Sequence, residues 1–443
     1  MSLRRRERTP DKEKRRESEP TVRILVVHQY FLDKDDAGGS RWNQLAKYWG
    51  RAGHQVTVLG GNVHYATGRR TPQCKGKYIH RETVDENVTA MRCHVSETYN
   101  VSFIGRLWAY ASFTLSSIWA GLHSGKQDVI IATSPPLTTA LTGWALSRLK
   151  RIPMVFEVRD LWPETAIEMG VLTNPLAIKL GYLLERKAYR WADLINTLTP
   201  AFDDTLRNKK NVPPDKLIMI PNAADLDLME PGPKENDVRA QLGLTGKRVI
   251  TYVGAHGRCN GLMQIVRAAE RTRDDPDLIW MLVGDGMEKP MLIEAARKKN
   301  LTNIRFVPPV PKAKIADYIN ASDVCCAVLR DAPVFRTVYP NKVFDYMSCR
   351  RPTVVAIDGV ARMLVEESGA GLFVQPENDE ALADAARQLT ADPQRCEDLG
   401  RRGREYVKAN FDRYTLGRRY LEHVVNVVRK RRRRTPTTKR QSK

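Results

Sequence analysis

Short, nearly continuous apolar runs alternate along the chain with longer stretches in which apolar residues recur every three or four positions. Residues 22–31, VRILVVHQYF, are mostly apolar and β-branched, the pattern of a strand buried on both faces. A glycine-containing loop, DKDDAGGS, and a helical stretch, RWNQLAKYWGRAGH, separate it from a second run, QVTVLGG. Strand, loop, helix and strand in that order form a βαβ unit and predict a parallel sheet. The pattern continues with DVIIATSPP (128–136), a helix over 137–149, PMVFEVRDLWPE, a long helix around Leu184, DLINTLTP and KLIMIPNAAD.

After Asp225 the texture changes. Residues 226–246, LDLMEPGPKENDVRAQLGLTG, carry the Gly, Pro and charge of a linker with a short helix. Then the alternation restarts: RVITYVG (248–254), DLIWMLVGDG (277–286), NIRFVPPV (303–310), DVCCAVL (323–329) and TVVAID (353–358), with helical stretches between. The fold class is therefore α/β, with two Rossmann-like doubly wound domains facing a cleft. The expected division is a basic tail over 1–20, a first domain over 21–225, a second over 226–399, a helix over 400–428 crossing back to the first, and a basic tail over 429–443. In open α/β sheets ligands sit at the carboxyl ends of the strands, so the site is expected there.

Charge adds a partner. The chain of 443 residues has a formal charge of +21, and residues 429–443 hold nine basic residues and no acid. Residues 1–20 hold eight basic and five acidic residues. Such tails read as disordered and suited to an anionic membrane surface or to nucleic acid, or as merely solvated ends. No apolar stretch near the N-terminus reads as a signal peptide. Seven scattered cysteines without zinc spacing point to a reducing cytoplasm, with Cys325 and Cys326 as core thiols. Residues 101–123, VSFIGRLWAYASFTLSSIWAGLH, are charge-free apart from Arg106, and Phe103, Leu107, Tyr110, Leu115 and Trp119 recur at helical spacing. A buried helix, an interfacial membrane helix and a span all remain open for this segment.

Candidate chemistry gathers at the predicted strand ends. In AGGS, Gly38 and Gly39 free the backbone to approach an anion, or the loop simply ends in Ser40 as a helix cap. No G-x-G-x-x-G follows the first strand, which disfavours a nicotinamide or flavin. EVRDLWPE (157–164) places Arg159, Asp160 and Glu164 at a strand end; Asp160, beside Trp162 and Pro163, suits proton handling or the orientation of a sugar hydroxyl, or pairs structurally with Arg159. YVGAHGRCNGL (252–262) opens the backbone at Gly254 and offers Arg258 to a diphosphate. In VYPNKVFDYMSCRRP (338–352), Lys342 and Asp345 flank the start of a helix that is either a ligand turn or a capped core helix. Asp225-Leu226-Asp227 is a weak imitation of a metal motif.

These segments, with SPP (134–136), PNAAD (221–225) and LVGDG, resemble in order and spacing the family 4 glycosyltransferases of GT-B architecture, over residues 22–425. Within that family they are most similar to the fucosamine-transferase-like subgroup of bacterial surface polysaccharide synthesis. The resemblance implies transfer of a hexosyl or N-acetylhexosaminyl group from a nucleoside-diphosphate sugar, UDP-linked by expectation, to a lipid-linked or glycan acceptor. It implies retention of configuration and no metal or other cofactor. Lys342 and Arg258 become the phosphate cations and Asp345 the ribose acid, and the backbone after Val307 reads the base. Gly38 and Gly39 admit the donor, Asp160 is the catalytic candidate, and Arg159 and Glu164 serve the acceptor. Three departures stand out: Thr337 replaces the first of two paired glutamates, Ala255 an arginine and Asn260 a lysine. A polyprenyl-diphosphate-linked acceptor would place the protein in the cytoplasm, peripheral to the inner face of the membrane, with nucleic acid an unlikely partner and no oligomeric state implied. The competing readings are a sugar-nucleotide epimerase or phosphorylase of the same fold and a non-catalytic basic binding protein.

Overall fold

In the computed structural model, residues 21–32, 41–64, 68–98 and 102–434 are described. The apolar runs form two sheets. The first contains β1 (Arg23–Val27), β2 (Gln55–Gly61), β3 (Ile79–Asp85), β4 (Val88–Cys93), β5 (Val129–Ser134), β6 (Met154–Val158), β7 (Leu194–Thr197) and β8 (Leu217–Met219), in the order β3-β4-β2-β1-β5-β6-β7-β8. All pairings are parallel except β3 with β4. The second contains β9 (Arg248–Val253), β10 (Leu278–Val283), β11 (Ile304–Val307), β12 (Val324–Val328), β13 (Thr353–Ala356) and β14 (Gly371–Phe373), all parallel, in the order β11-β10-β9-β12-β13-β14.

Each sheet buries both faces, as unbroken apolar strands require. One face of the first sheet (Leu25, Val27, Ile130, Phe156) is covered by the helices 103–122, 139–150 and 175–191. Its other face (Ile24, Val26, Ile131) packs on Trp42 and Trp49 of the helix 41–51 and on Tyr420, Val424 and Val428. Across this layer Arg41 is bound to Glu157, with Nη2 to Oε2 at 3.0 Å, and Trp42 Nε1 and Asn196 Nδ2 also donate to that carboxylate. The pair is fully enclosed, and its remaining donors reach the carbonyls of Ile220 and Pro221.

Two expectations about the C-terminus change. The helix Pro393–Asn410 stays on the second domain, where Leu399 and Val407 are buried, and only Arg413–Arg434 crosses back. The break comes at Phe411 and Asp412, where the chain pairs with Ala224: Ala224 N donates to Phe411 O at 2.8 Å and Arg413 N to Ala224 O at 3.2 Å. The basic run also does not begin a tail at 429, because residues 429–434 continue the crossing helix and Arg432 bonds Asp128 at 2.8 Å. The hairpin of β3 and β4 is absent from the sequence reading, as is β14.

The helix Phe103–Leu122 settles into the first sheet's cover with an unexpected face inward. Ala109, Phe113, Ser116, Ser117 and Ala120 are buried, whereas Leu107, Leu115 and Trp119 are 48, 61 and 56% exposed. Small residues let the helix sit close: a Cβ on Gly121 would meet Leu146 at 2.3 Å. The inward hydroxyls are satisfied, Ser116 by the carbonyls of His94 and Phe113 and Ser117 by Thr142. Among the described residues no helix is long and apolar enough to cross a membrane.

Candidate active site

Gly254 follows β9 and Gly284 follows β10, both with positive φ (151° and 142°). A Cβ on Gly284 would lie 2.0 Å from the carbonyl oxygen of Gly254, so only glycine permits this approach. On Gly254 a Cβ would meet the end of Lys342 at 3.3 Å, which places the ammonium directly against the glycine shelf. Lys342 enters the helix Asn341–Ser348 at its second residue, and Val343, Phe344 and Met347 of that helix are buried in the core. Its Nζ donates to Tyr252 Oη at 2.7 Å and Asn260 Oδ1 at 3.1 Å and lies 4.0 Å from the Tyr252 ring centre. Burial pulls the Lys342 ammonium down to about 7. Two candidates thus come together, and Asn260, at the position of the missing lysine, holds the cation that remains.

Asp345 lies one turn further along. Its Oδ2 accepts from Lys312 Nζ at 2.6 Å, and burial raises its pKa against the opposing pull of that ammonium. Arg258 is exposed on the turn 258–260, four residues beyond Gly254. Lys289 donates to the carbonyls of Gly284 (2.7 Å) and Val307 (3.0 Å), fixing the end of β11. His256 is fully buried behind the shelf, with neither ring nitrogen bonded, and burial lowers its pKa to about 4. Asp285, in GDG, accepts only from the backbone amide of the adjacent Gly286; the next helix starts after Glu288, so Asp285 is not its cap.

The facing wall comes from the first domain. Asp160 follows β6, and Thr165 Oγ1 donates to its Oδ1 at 2.7 Å. Burial raises this carboxyl to about 6, although Thr165, the Leu161 amide and Arg159 all favour the ionised form. Burial first, then the Asp160 charge, raise the pKa of the Cys259 thiol of the second domain. Met169 Sδ and Cys259 Sγ meet at 3.5 Å, and Thr199 Oγ1 donates to the carbonyl of Thr337 at 2.8 Å. Thr337 uses its own hydroxyl on Val334 O, so the position of the first paired acid closes a loop.

Arg159 and Glu164 take different surroundings. Arg159 Nη1 lies 3.3 Å from Nε2 of His28, whose Nδ1 meets Thr133 Oγ1 at 2.7 Å. Burial first, then Arg159 and Arg41, hold His28 well below its ordinary pKa, so the ring is neutral. Glu164 is ion-paired with Lys210, which also binds the buried Glu185 at 2.9 Å, so the shared lysine anchors it at the head of its short helix. Gly38 and Gly39 lie outside the described residues. Asp225 is paired with Arg413 in the core, and no cluster of metal-ligating residues occurs among the described residues. Sequence reasoning missed Tyr252, Lys289, Lys312 and His28 as site members; only His28, at the end of the first apolar run, carried a local signal.

Known proteins share this arrangement. Residues 37–223 match the glycosyl transferase 4-like domain and residues 234–406 match glycosyl transferases group 1. WcaI of Escherichia coli (strain K12), named for colanic acid biosynthesis, is 24% identical over 417 residues, which cover 91% of this chain and all of WcaI. Among solved structures, a sucrose-phosphate synthase from Thermosynechococcus elongatus superposes with a TM-score of 0.73 at 20% identity, covering 92% of this chain and 100% of the synthase chain. Anabaena HepE, solved in complex with UDP and glucose, superposes with a TM-score of 0.69 at 17% identity, covering 91% of this chain and 99% of HepE. With both domains matched in order and two Rossmann-like sheets facing one cleft, the chain belongs to the family 4 glycosyltransferases of GT-B architecture.

Proposed function

We propose that this glycosyltransferase moves a hexosyl or N-acetylhexosaminyl group from a UDP-sugar to a polyprenyl-diphosphate-linked or glycan acceptor, with retention and without a metal ion, in surface polysaccharide assembly. The observation that carries the reading is the Lys342 ammonium held against the Gly254–Gly284 shelf. There the backbone can approach a diphosphate, and a positioned cation stabilises the charge that develops on the leaving group. Arg258 supplies a second cation from the exposed turn, and Asp345 offers its carboxylate to ribose hydroxyls beside Lys312. Asp160, on the facing wall, takes or positions the proton of the acceptor hydroxyl. Arg159 and Glu164 orient that side, the first through His28 and the second through Lys210.

The UDP assignment is supported by HepE, a fold neighbour solved with UDP and glucose, and the polysaccharide assignment by the relation to WcaI. The basic segment at the C-terminus draws the protein to the cytoplasmic face of an anionic membrane, where a lipid-linked acceptor resides. The test is release of nucleoside diphosphate from a panel of UDP-, GDP- and dTDP-sugars with polyprenyl-diphosphate-sugar acceptors. UDP release that depends on acceptor supports the reading; donor hydrolysis without transfer, or no turnover of any donor, overturns it.

A further inference from the structure

The helix 103–122 presents its large apolar side chains outward, and its two neighbours on the same face of the sheet do likewise. Of the 19 large apolar residues exposed among the described residues, 11 lie on the helices 103–122, 139–150 and 175–191. These helices pack side by side, so the side chains form one surface. Ile104 (77% exposed), Trp108 (57%), Trp119 and Leu115 stand on the first, Leu149 on the second and Leu180 on the third. A contiguous apolar area of this kind marks an interaction site rather than ordinary surface.

Charge identifies the partner. The three helices hold seven basic residues and one acid, and that acid, Glu185, is buried against Lys210. Arg148, Lys179, Arg186, Lys187 and Arg190 are exposed around the apolar side chains with no carboxylate among them. Asp128, just before β5, binds Arg432, so the crossing helix on the opposite face of the sheet brings its basic end to the same sheet margin. Outward Trp and Leu with a cationic border match the interface of an anionic bilayer, where indoles sit at headgroup depth and cations meet phosphate. No exposed acid lies on these three helices, so a basic protein partner would find no complement among them.

We infer that the outer face of these three helices seats the first domain on an anionic lipid surface, independently of the C-terminal basic segment. The seat reaches the active site, because Gly181 of the third helix lies against Pro163, where a Cβ would come within 3.2 Å, in the loop that carries Asp160. An acceptor anchored in the lipid therefore arrives beside the catalytic wall. Its purpose rests on the lipid-linked acceptor proposed above, but the contact itself is measured with neither donor nor acceptor present.

The experiment is flotation of the full chain with vesicles of equal parts phosphatidylglycerol and phosphatidylcholine. We expect Leu107→Ser, Leu115→Ser and Leu180→Ser together to lower partitioning at least tenfold, while removal of residues 435–443 removes only the salt-sensitive part. Brominated lipid should quench the fluorescence of the wild type and quench Trp119→Phe less. That conservative single change keeps the test valid if the triple variant folds poorly. Unchanged partitioning of a folded triple variant, quenching indifferent to Trp119, or a dimer in sedimentation that shields Trp108 and Trp119 would overturn the inference. UDP release with a water-soluble acceptor, measured separately, reports on the transferase whatever the vesicles show.

Discussion

If Lys342 faces the donor diphosphate as proposed, its lowered pKa makes donor binding a proton-linked event. In the free protein the ammonium titrates near 7, because burial favours the neutral amine. A bound diphosphate needs the charged form. Below pH 7 the cation is already present; above it, each pH unit adds about 1.4 kcal/mol for protonation on binding. From pH 7 to pH 9 the Kd for UDP should therefore rise about fiftyfold, with close to one proton taken up per UDP at the upper end. The competing groups are silent in this window: His256 titrates at about 4, and burial holds Tyr252 and Cys259 above their ordinary values. UDP's terminal phosphate, titrating at about 6, is mostly ionised at pH 7 and fully so at pH 9, so its own contribution to the slope is small. Titration calorimetry in buffers of different ionisation heat measures both quantities. Lys342→Arg should remove the slope, because a guanidinium stays charged throughout, whereas Lys342→Ala should bind weakly at every pH. A flat wild-type profile, or the same slope in Lys342→Ala, would refute the placement of this cation against the diphosphate.

Three further outcomes are expected. Asp160→Asn should reduce transfer by about 10²–10⁴-fold with UDP affinity unchanged, and the wild-type rate should fall as pH drops through about 6, where the carboxyl gains its proton, a limb the variant lacks. Gly284→Ala should weaken UDP binding at least tenfold and lower the melting temperature, since its Cβ would strike the Gly254 carbonyl and its φ suits only glycine at a cost of about 1–3 kcal/mol. Glu157→Gln leaves Arg41 buried without an anion and should cost about 3–5 kcal/mol in urea unfolding, while the UDP affinity of the folded fraction stays the same.

Strands buried on both faces are nearly continuous apolar runs, and for that reason eleven of them stood out in the sequence. The β3–β4 hairpin did not, because IHRETVD holds only two apolar residues, five positions apart, on a strand at the sheet's edge. Periodicity located the helix 103–122 but not its orientation: the stripe of Leu107, Leu115 and Trp119 mimics a core face, and only packing distances show Ser and Ala taking that place. The crossing helix was misplaced because 393–434 is helical almost throughout, and its break depends on a bridge to Ala224 far away in sequence. In the site, Lys342 was legible from its turn and helix start. Tyr252 and Asn260, 90 and 82 residues away, become its partners only through the fold. Glu164 looked free in sequence because Lys210, 46 residues on, gives no local sign of reaching it.

The pairing of Ala224 with Asp412 fixes one margin of the two-domain molecule. Both passages of the chain between domains run side by side here, stitched by two backbone hydrogen bonds and by the enclosed Arg413–Asp225 pair. Across the cleft the named contacts are slighter, one thioether against a thiol and one hydroxyl on a carbonyl. The molecule is thus bound along one margin like the leaves of a book. Any opening of the cleft would break those slighter contacts before it strained the spine.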